Sequence, residues 1–244
     1  MTPRPHQLTG AAFLADRRFA LLADEPRVGK TGAAITACDL ICAESVLVVT
    51  TASGRAVWRK AFREWSTAER VIQIVGWSEV SKAALQKELQ QRRWAVLVLD
   101  ESHYAKNMEA ARTEAVYGPL GLARIADRVW CLTGTPVPNA PNDLWPMLSV
   151  LASSRVKDTP TYEVFLDRYC IVRKKRLSRW KSIDVVIAGK NEAELNGKLH
   201  GFMLRRTQGE IGITEPIYET LPLRLDERTL VRLRHDIDVD VAGV

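Results

Sequence analysis

The chain has 244 residues, enough for one large domain, and 46% of them are hydrophobic, so a sizeable core can be buried. Its 35 Lys and Arg against 29 Asp and Glu leave a net charge of +6, which permits a polyanionic partner without demanding one. No run of about 18 apolar residues is present, so no membrane-spanning helix is expected; "MTPRPHQLTG" lacks the apolar stretch of a signal peptide; and Cys38, Cys42, Cys131 and Cys170 have no paired CxxC spacing, which speaks against zinc and for a reducing compartment.

The first 150 or so residues alternate apolar runs with helical patterns. "FALLA" (19–23) reads as a strand and "TGAAITACDLICA" as a helix of small residues, with Cys38 and Cys42 one turn apart on it. "SVLVVTT" (45–51) is a continuous β-branched run, as in a strand buried on both faces. "RAVWRKAFREW" (55–65) places apolar residues at 57, 58, 61, 62 and 65, one helical face. "VIQIVG" (71–76) reads as a strand, "VSKAALQKELQQR" (80–92) as a helix, "WAVLVLDES" (94–102) as a strand ending in acid and "RVWCLTGTP" (128–136) as a strand ending in small polar residues. "PNDLWPMLSVL" (141–151) reads as a helix with Asn142 or Asp143 near its start. Such alternation predicts a mostly parallel sheet with helices on both faces, and functional groups at the carboxyl ends of its strands. Beyond residue 152 the pattern turns irregular: a basic run from Arg173 to Lys181, a helix over 192–206 weakened by Gly197 and Gly201, and a strand over 218–225. The expected division is a core of residues 1–152 and a smaller, irregular helical appendage over 153–244.

Three segments carry chemistry. "LLADEPRVGKTG" (21–32) ends in Gly29, Lys30 and Thr31, the minimum of a phosphate-binding loop, between a strand and a helix. Asp24 stands where the first glycine of such a loop is usual, so the segment alone reads either as that loop or as a strand-to-helix turn with an exposed lysine. Asp100 and Glu101 follow the apolar strand "WAVLVL"; two acids there are costly unless they have partners or work. They suit a Walker B site, where an Asp holds magnesium and a neighbouring Glu orients water. "LTGTPVPN" (132–139) ends a third strand, with Thr133 and Thr135 flanking Gly134.

In this order the segments resemble the first RecA-like lobe of the SNF2 family of superfamily 2 DNA translocases. The loop D-E-P-R-V-G-K-T is similar to the family's D-E-M-G-L-G-K-T, with Pro26, Arg27 and Val28 as departures. "DESHYAKN" (100–107) resembles D-E-A-H-x-x-K-N, with Ser102 for Ala. "LTGTPVPNAPNDLWPML" resembles L-T-G-T-P-x-x-N-x-x-x-E-L-W-x-L-L, "RPHQLTGAAFL" (4–14) resembles R-P-x-Q-x-x-G-x-x-x-L, and "VLVVTTASGRAVWRKAFREW" resembles the family's W-x-x-E-x-x-x-W segment, with Thr51 where proline is usual. The stretch 165–207, with R-Y-C, a spaced Trp, G-x-N and x-L-R-R, is similar to the annealing-helicase-like branch.

The resemblance implies a P-loop NTPase fold and assigns roles. Gln7, assisted by Arg4, would contact adenine. Asp24, Val28 and Gly29 would shape the nucleotide site, with Arg27 either reaching phosphate or pointing to solvent, and Lys30 would reach the outer phosphates. Thr31 and Asp100 would hold Mg2+, and Glu101 would orient water. His103, Thr133, Gly134 and Thr135 would couple the site to motion. Ser53, Arg55, Lys106, Asn107, Thr135 and Asn139 would meet the phosphate backbone of double-stranded or branched DNA. Trp58 and Trp65 read as core residues, and the basic run 173–181 as either a solvated loop or a DNA-facing patch. The family's second lobe supplies arginines in a segment like Q-x-x-G-R-x-x-R-x-G-Q, which does not occur here. The expectation is one lobe of a DNA-dependent ATPase, binding ATP with Mg2+ but turning over poorly. It would be cytoplasmic in a bacterial or phage source and nuclear in a eukaryotic one. A nucleotide-gated DNA-binding module and a P-loop ATPase without nucleic acid remain alternatives at this stage.

Overall fold

The computed structural model describes residues 1–135, 140–176 and 182–212. All of these lie in the first of two compact units into which the chain divides, Met1–Ile213. Helix α1 (Pro5–Ala15) begins with a proline, whose missing N–H is no loss in a first turn. Then follow β1 (Phe19–Leu22), α2 (Lys30–Leu40), β2 (Ser45–Thr50), α3 (Gly54–Trp65), β3 (Val71–Gly76), α4 (Ala83–Leu89), β4 (Trp94–Asp100), α5 (Ala111–Tyr117) and β5 (Ala126–Leu132). The remainder comprises α6 (Trp145–Leu151), α7 (Tyr162–Tyr169), β6 (Cys170–Arg176), β7 (Ser182–Gly189), α8 (Glu192–Leu199) and β8 (Met203–Leu204).

Among the described residues six strands form one sheet in the order β3-β2-β4-β5-β1-β8, and every pairing between them is parallel. The pleat divides the core into two layers. Leu22, Val46, Val48, Val98, Trp130 and Leu132 point to the side covered by α1, α2 and α3, where Leu14, Ile35, Trp58 and Phe62 meet them. Leu21, Leu47, Val49, Leu97, Leu99 and Val129 point to the other, against Leu89, Val116, Leu148, Phe165, Leu195 and Leu199 from α4 to α8. Strands buried on both faces need to be apolar at every position, which is why the sequence shows continuous runs rather than alternation. β6 and β7 pair antiparallel as a separate two-stranded ribbon.

The α/β fold with a mostly parallel sheet and helices on both faces is as the sequence predicts, but several elements differ. The helix after β1 stops at Leu40. Cys42 adopts φ 51°, and Cys42 N–H and Ala43 N–H bond back to the carbonyls of Asp39 and Cys38, at 3.1 and 2.9 Å. That is a Schellman cap with cysteine at the left-handed position, so Cys38 and Cys42 do not share a helix face: Cys38 is buried and Cys42 exposed. The helix expected over 80–92 covers only Ala83–Leu89, because the N–H groups of Glu79 and Val80 close a turn on the Gly76 carbonyl. Residues 141–144 form a 3-10 turn ahead of α6. Val57, assigned to the apolar face of α3, is exposed. The predicted helix over 192–206 breaks in two. Its second half extends past Gly201 (φ 75°) and pairs with the open edge of β1, Leu21 opposite Met203 and Leu22 opposite Leu204. A strand of the main sheet therefore comes from the segment expected to be an appendage. The strand read over 218–225, the remainder of the basic run and Asn139 lie outside the described residues.

Candidate nucleotide site at the carboxyl edge of the sheet

β1, β5 and β4 are neighbours, so the loops leaving their carboxyl ends converge. The loop after β1 is held from three sides. From below α2, Lys30 Nζ donates to the carbonyls of Asp24 at 2.7 Å and Glu25 at 3.2 Å. Gly29 sits at φ 94°, a conformation costly for any other residue, and a Cβ there would meet Gln7 Nε2 at 2.3 Å. From α1, Gln7 accepts from the Arg4 N–H at 2.9 Å and donates to the Gly29 carbonyl at 3.3 Å, and a ring nitrogen of His6 lies 3.0 Å from the Val28 carbonyl. Gln7 is buried and serves as a clasp on the loop. From β8, the loop N–H groups of Ala23 and Glu25 donate to the carbonyls of Leu204 and Arg206. Arg27 takes φ 69° and is exposed, while Val28 is buried. Arg4, Gln7, Arg27, Val28 and Gly29 line a cavity of about 400 Å³ with Trp65.

Asp24 is 1% exposed, and its carboxylate receives Arg206 through Nε at 3.0 Å and through a second guanidinium nitrogen. The aspartate in place of the loop's first glycine is thus one half of a buried ion pair with a residue 182 positions later. Burial lowers the pKa of Lys30, opposed by the negative charges of Glu101, Asp24 and Asp100.

Asp100 closes β4. Its Oδ2 accepts from Thr50 Oγ1 at 2.7 Å and from the indole N–H of Trp58 at 2.8 Å, and its carbonyl accepts from the indole N–H of Trp77 at 2.8 Å. Glu101, in a left-handed conformation at φ 51°, opens a 3-10 turn over Ser102–Ala105. Holding a non-glycine residue there costs on the order of 1 kcal/mol, strain that surrounding contacts must offset. His103 Nδ1 lies 3.3 Å from Glu101 Oε2, 3.1 Å from Thr133 Oγ1 and 3.5 Å from Thr135 Oγ1, so the end of β4 and the end of β5 share one polar cluster. Thr133 Oγ1 also accepts from the Thr135 N–H at 3.1 Å. Gly134 packs against Pro26 of the loop after β1: a Cβ there would sit 3.0 Å from Pro26 Cδ. Thr31 lies in the first turn of α2 and is partly exposed.

The residues assigned to DNA sit around the same edge. Ser53 is exposed at the start of α3, with its Oγ 3.3 Å from Thr51 Oγ1. Arg55 pairs with Glu79 at 2.7 Å and Lys106 with Asp143 at 3.4 Å. Asn107 is exposed and its side chain accepts from the Glu109 N–H. Three residues that hold this edge are not marked by the sequence. Trp58 is a core residue as expected, yet its ring N–H holds Asp100; Trp77 drew no assignment; and Arg206 was placed merely in the tail. Arg206 closes the x-L-R-R segment, which carries the family resemblance but gives no hint of a partner in the loop.

A six-stranded parallel sheet with a phosphate-type loop after β1 and an acidic pair after β4 defines a RecA-like P-loop lobe. The SNF2-related domain matches residues 66–235, and the chain belongs to that family. It is 30% identical over 227 residues to the SWI/SNF-related matrix-associated actin-dependent regulator of chromatin subfamily A-like protein 1 of Bos taurus, a match covering 85% of this chain and 23% of that protein. It is 26% identical to the DNA annealing helicase and endonuclease ZRANB3 of Mus musculus, covering 85% and 21%. In structure it is similar to the Sulfolobus solfataricus SWI2/SNF2 ATPase core in complex with dsDNA, with a TM-score of 0.67 at 20% identity over 87% of this chain and 46% of that one. The chain spans less than a quarter of the length of these curated relatives. Among the described residues no helix is long and apolar enough to cross a membrane.

Proposed function

We propose that this chain is the ATP-binding lobe of a DNA-dependent ATPase that tracks the phosphate backbone of double-stranded DNA. The observation that carries the reading is the convergence of Lys30, the Asp100–Glu101 pair and the Thr133–Thr135 segment at three adjacent strand ends, in a chain of the SNF2-related family. The relatives' names, a DNA annealing helicase among them, and the structural relative's complex with dsDNA support a DNA partner.

In this reading Gln7 and Arg4 bound the base end of the site, and Lys30 exchanges its loop carbonyls for the outer phosphates. The oxygen donors Thr31 and Asp100 suit magnesium, which is held by one or two carboxylates and otherwise by water and phosphate. Both described donors to the Asp100 carboxylate converge on Oδ2 and leave Oδ1 to a cation. Magnesium would neutralise charge on the outer phosphates. Glu101 orients the attacking water, and His103 reads that carboxylate against the hydroxyls of Thr133 and Thr135. Ser53, Arg55, Lys106 and Asn107 face DNA phosphates once their present partners are exchanged. The motif for a second lobe's arginines does not occur in these 244 residues, and such a group is worth about 10³–10⁵ in rate, so we infer weak turnover by this chain alone. The protein works in a reducing compartment, nuclear if its source is eukaryotic, as the curated relatives named above are, and cytoplasmic if bacterial or phage.

The test is nucleotide binding and phosphate release with and without duplex DNA, for wild type, Lys30→Ala and Glu101→Gln. Expected are nucleotide binding by the wild type, its loss in Lys30→Ala, and binding without turnover in Glu101→Gln. Robust DNA-stimulated turnover by this chain alone would overturn the single-lobe reading. Equal phosphate release by Glu101→Gln and wild type would favour a binding module, and absence of duplex binding at low salt would remove the DNA partner.

A further inference from the structure

The phosphate-binding loop carries Pro26, which has no N–H to offer, and Arg27, which occupies a left-handed conformation without being glycine. Such a loop does not hold its shape by local preference alone. The structure shows what holds it. Residues 204–208 lie along it bond by bond. Ala23 N–H donates to the Leu204 carbonyl at 2.7 Å and Glu25 N–H to the Arg206 carbonyl at 3.0 Å. Gln208 N–H donates to Glu25 Oε2 at 2.9 Å, and the Gln208 side chain donates to the Pro26 carbonyl at 3.0 Å. At the centre, the Arg206 guanidinium forks onto both oxygens of Asp24, and its remaining nitrogen bonds the carbonyl of His6, one residue before the Gln7 clasp. Asp24 is 1% exposed and the Arg206 side chain 13%. The guanidinium also lies against Gly10, where a Cβ would come within 2.8 Å. A planar fork with a third bond at a fixed angle defines position in a way that a lysine's point charge does not.

We propose that Arg206 is a positioning residue for the nucleotide site. Through Asp24 and His6 it sets the loop and the α1 clasp in one geometry, and so makes nucleotide affinity depend on residues 204–208, which do not line the cavity formed by Arg4, Gln7, Val28 and Gly29. The inference rests on the reading of the Lys30 loop as a nucleotide site. It gives Asp24 a role different from ligand contact: the carboxylate is committed to Arg206, and the loop's backbone is what it places.

The experiment uses Arg206→Lys, which keeps the charge and loses the fork, and Asp24→Asn, which keeps the shape and loses the charge. Three quantities are measured on the whole chain: affinity for a fluorescent ATP analogue, melting temperature, and hydrogen exchange of the loop amides over residues 23–31. Expected are variants folded at the assay temperature, affinity weaker by about tenfold, the effects of the two substitutions overlapping in the double variant, and faster exchange confined to the loop and the start of α1. Folded variants with wild-type affinity and unchanged loop exchange would overturn the inference and leave the nucleotide site standing. If Arg206→Lys failed to fold, the isosteric Asp24→Asn would decide by the same criteria. Absence of nucleotide binding in the wild type, indistinguishable from Lys30→Ala, would overturn the nucleotide reading and this inference with it.

Discussion

The carboxyl edge of the sheet and the β6–β7 ribbon differ in how much of the molecule determines them. At the sheet edge each functional group has several partners from different elements. Asp100 is held by β2, α3 and the turn after β3, and the loop after β1 by α1, α2 and β8. In the ribbon, every β6 residue beyond Cys170 is exposed, including Ile171 and Val172, and Ile183 and Ile187 of β7 face water too. Geometry at the edge is overdetermined, as the proposed nucleotide site would require. In the ribbon Cys170 is buried and Val186 packs against the core, while the exposed positions Ile171, Val172, Ile183 and Ile187 are held by the backbone ladder. The sharpest way to break this contrast is to truncate a side chain in each. Trp130 is fully buried in β5 of the same sheet and donates to the Arg17 carbonyl ahead of β1 at 3.1 Å, so Trp130→Ala is expected to cost about 3–5 kcal/mol. Ile187→Ala is expected to stay within about 0.5 kcal/mol. Urea denaturation of both reads the difference; comparable losses would show that the ribbon packs as tightly as the sheet.

How much was legible follows the same division. Strand runs such as "SVLVVT" and "WAVLVL" are written in the sequence, because a strand buried on both faces has no choice but to be apolar. The loop, the acidic pair and the threonines were legible as motifs, since each is a contiguous segment at a strand end. What could not be read depends on a partner far along the chain. Met203 and Leu204 carry nothing that marks a strand; they extend because β1 offers an unpaired edge. Cys42 ends α2 in a conformation that normally signals glycine. The indole of Trp58 was assigned to the core from helical spacing, correctly, but spacing says nothing about where one N–H points.

That N–H gives the next prediction. Trp58→Phe keeps most of the ring volume and deletes one of the two donors to Asp100 Oδ2. Leaving part of a carboxylate's hydrogen bonding unmet is expected to cost about 1–3 kcal/mol in stability. If the indole also orients Asp100 for a cation, the magnesium concentration that supports half-maximal nucleotide binding rises several-fold, while magnesium-free binding holds. A loss of stability with an unchanged magnesium requirement would reduce Trp58 to packing and weaken the contrast between an overdetermined edge and a ribbon held by its backbone ladder.

The smallest expected effect is one of pH, and it compares the lysine of the loop with one of the ribbon. Burial holds the pKa of Lys30 below its ordinary 10.5, against the pull of Glu101, Asp24 and Asp100. Between that lowered value and 10.5 the unfolded chain binds more protons than the folded one, so Lys30 makes stability rise with pH there; below the window both states are protonated and the burial cost is constant. Nucleotide affinity moves the opposite way, since a neutral amine offers phosphate no charge and bound phosphate favours the protonated form. Cys38 and Cys131, whose thiols burial pushes up to about 12, stay protonated in the folded chain and leave the affinity signal clear, although in the unfolded chain they ionise in this range and oppose the contribution of Lys30 to stability. Affinity for the nucleotide is therefore expected to decline between neutral pH and 10.5 in the wild type and in Lys174→Met of the ribbon. In Lys30→Met it is weak and flat across the same range. A decline that persists in Lys30→Met would assign the titration to another group and remove Lys30 from contact with phosphate.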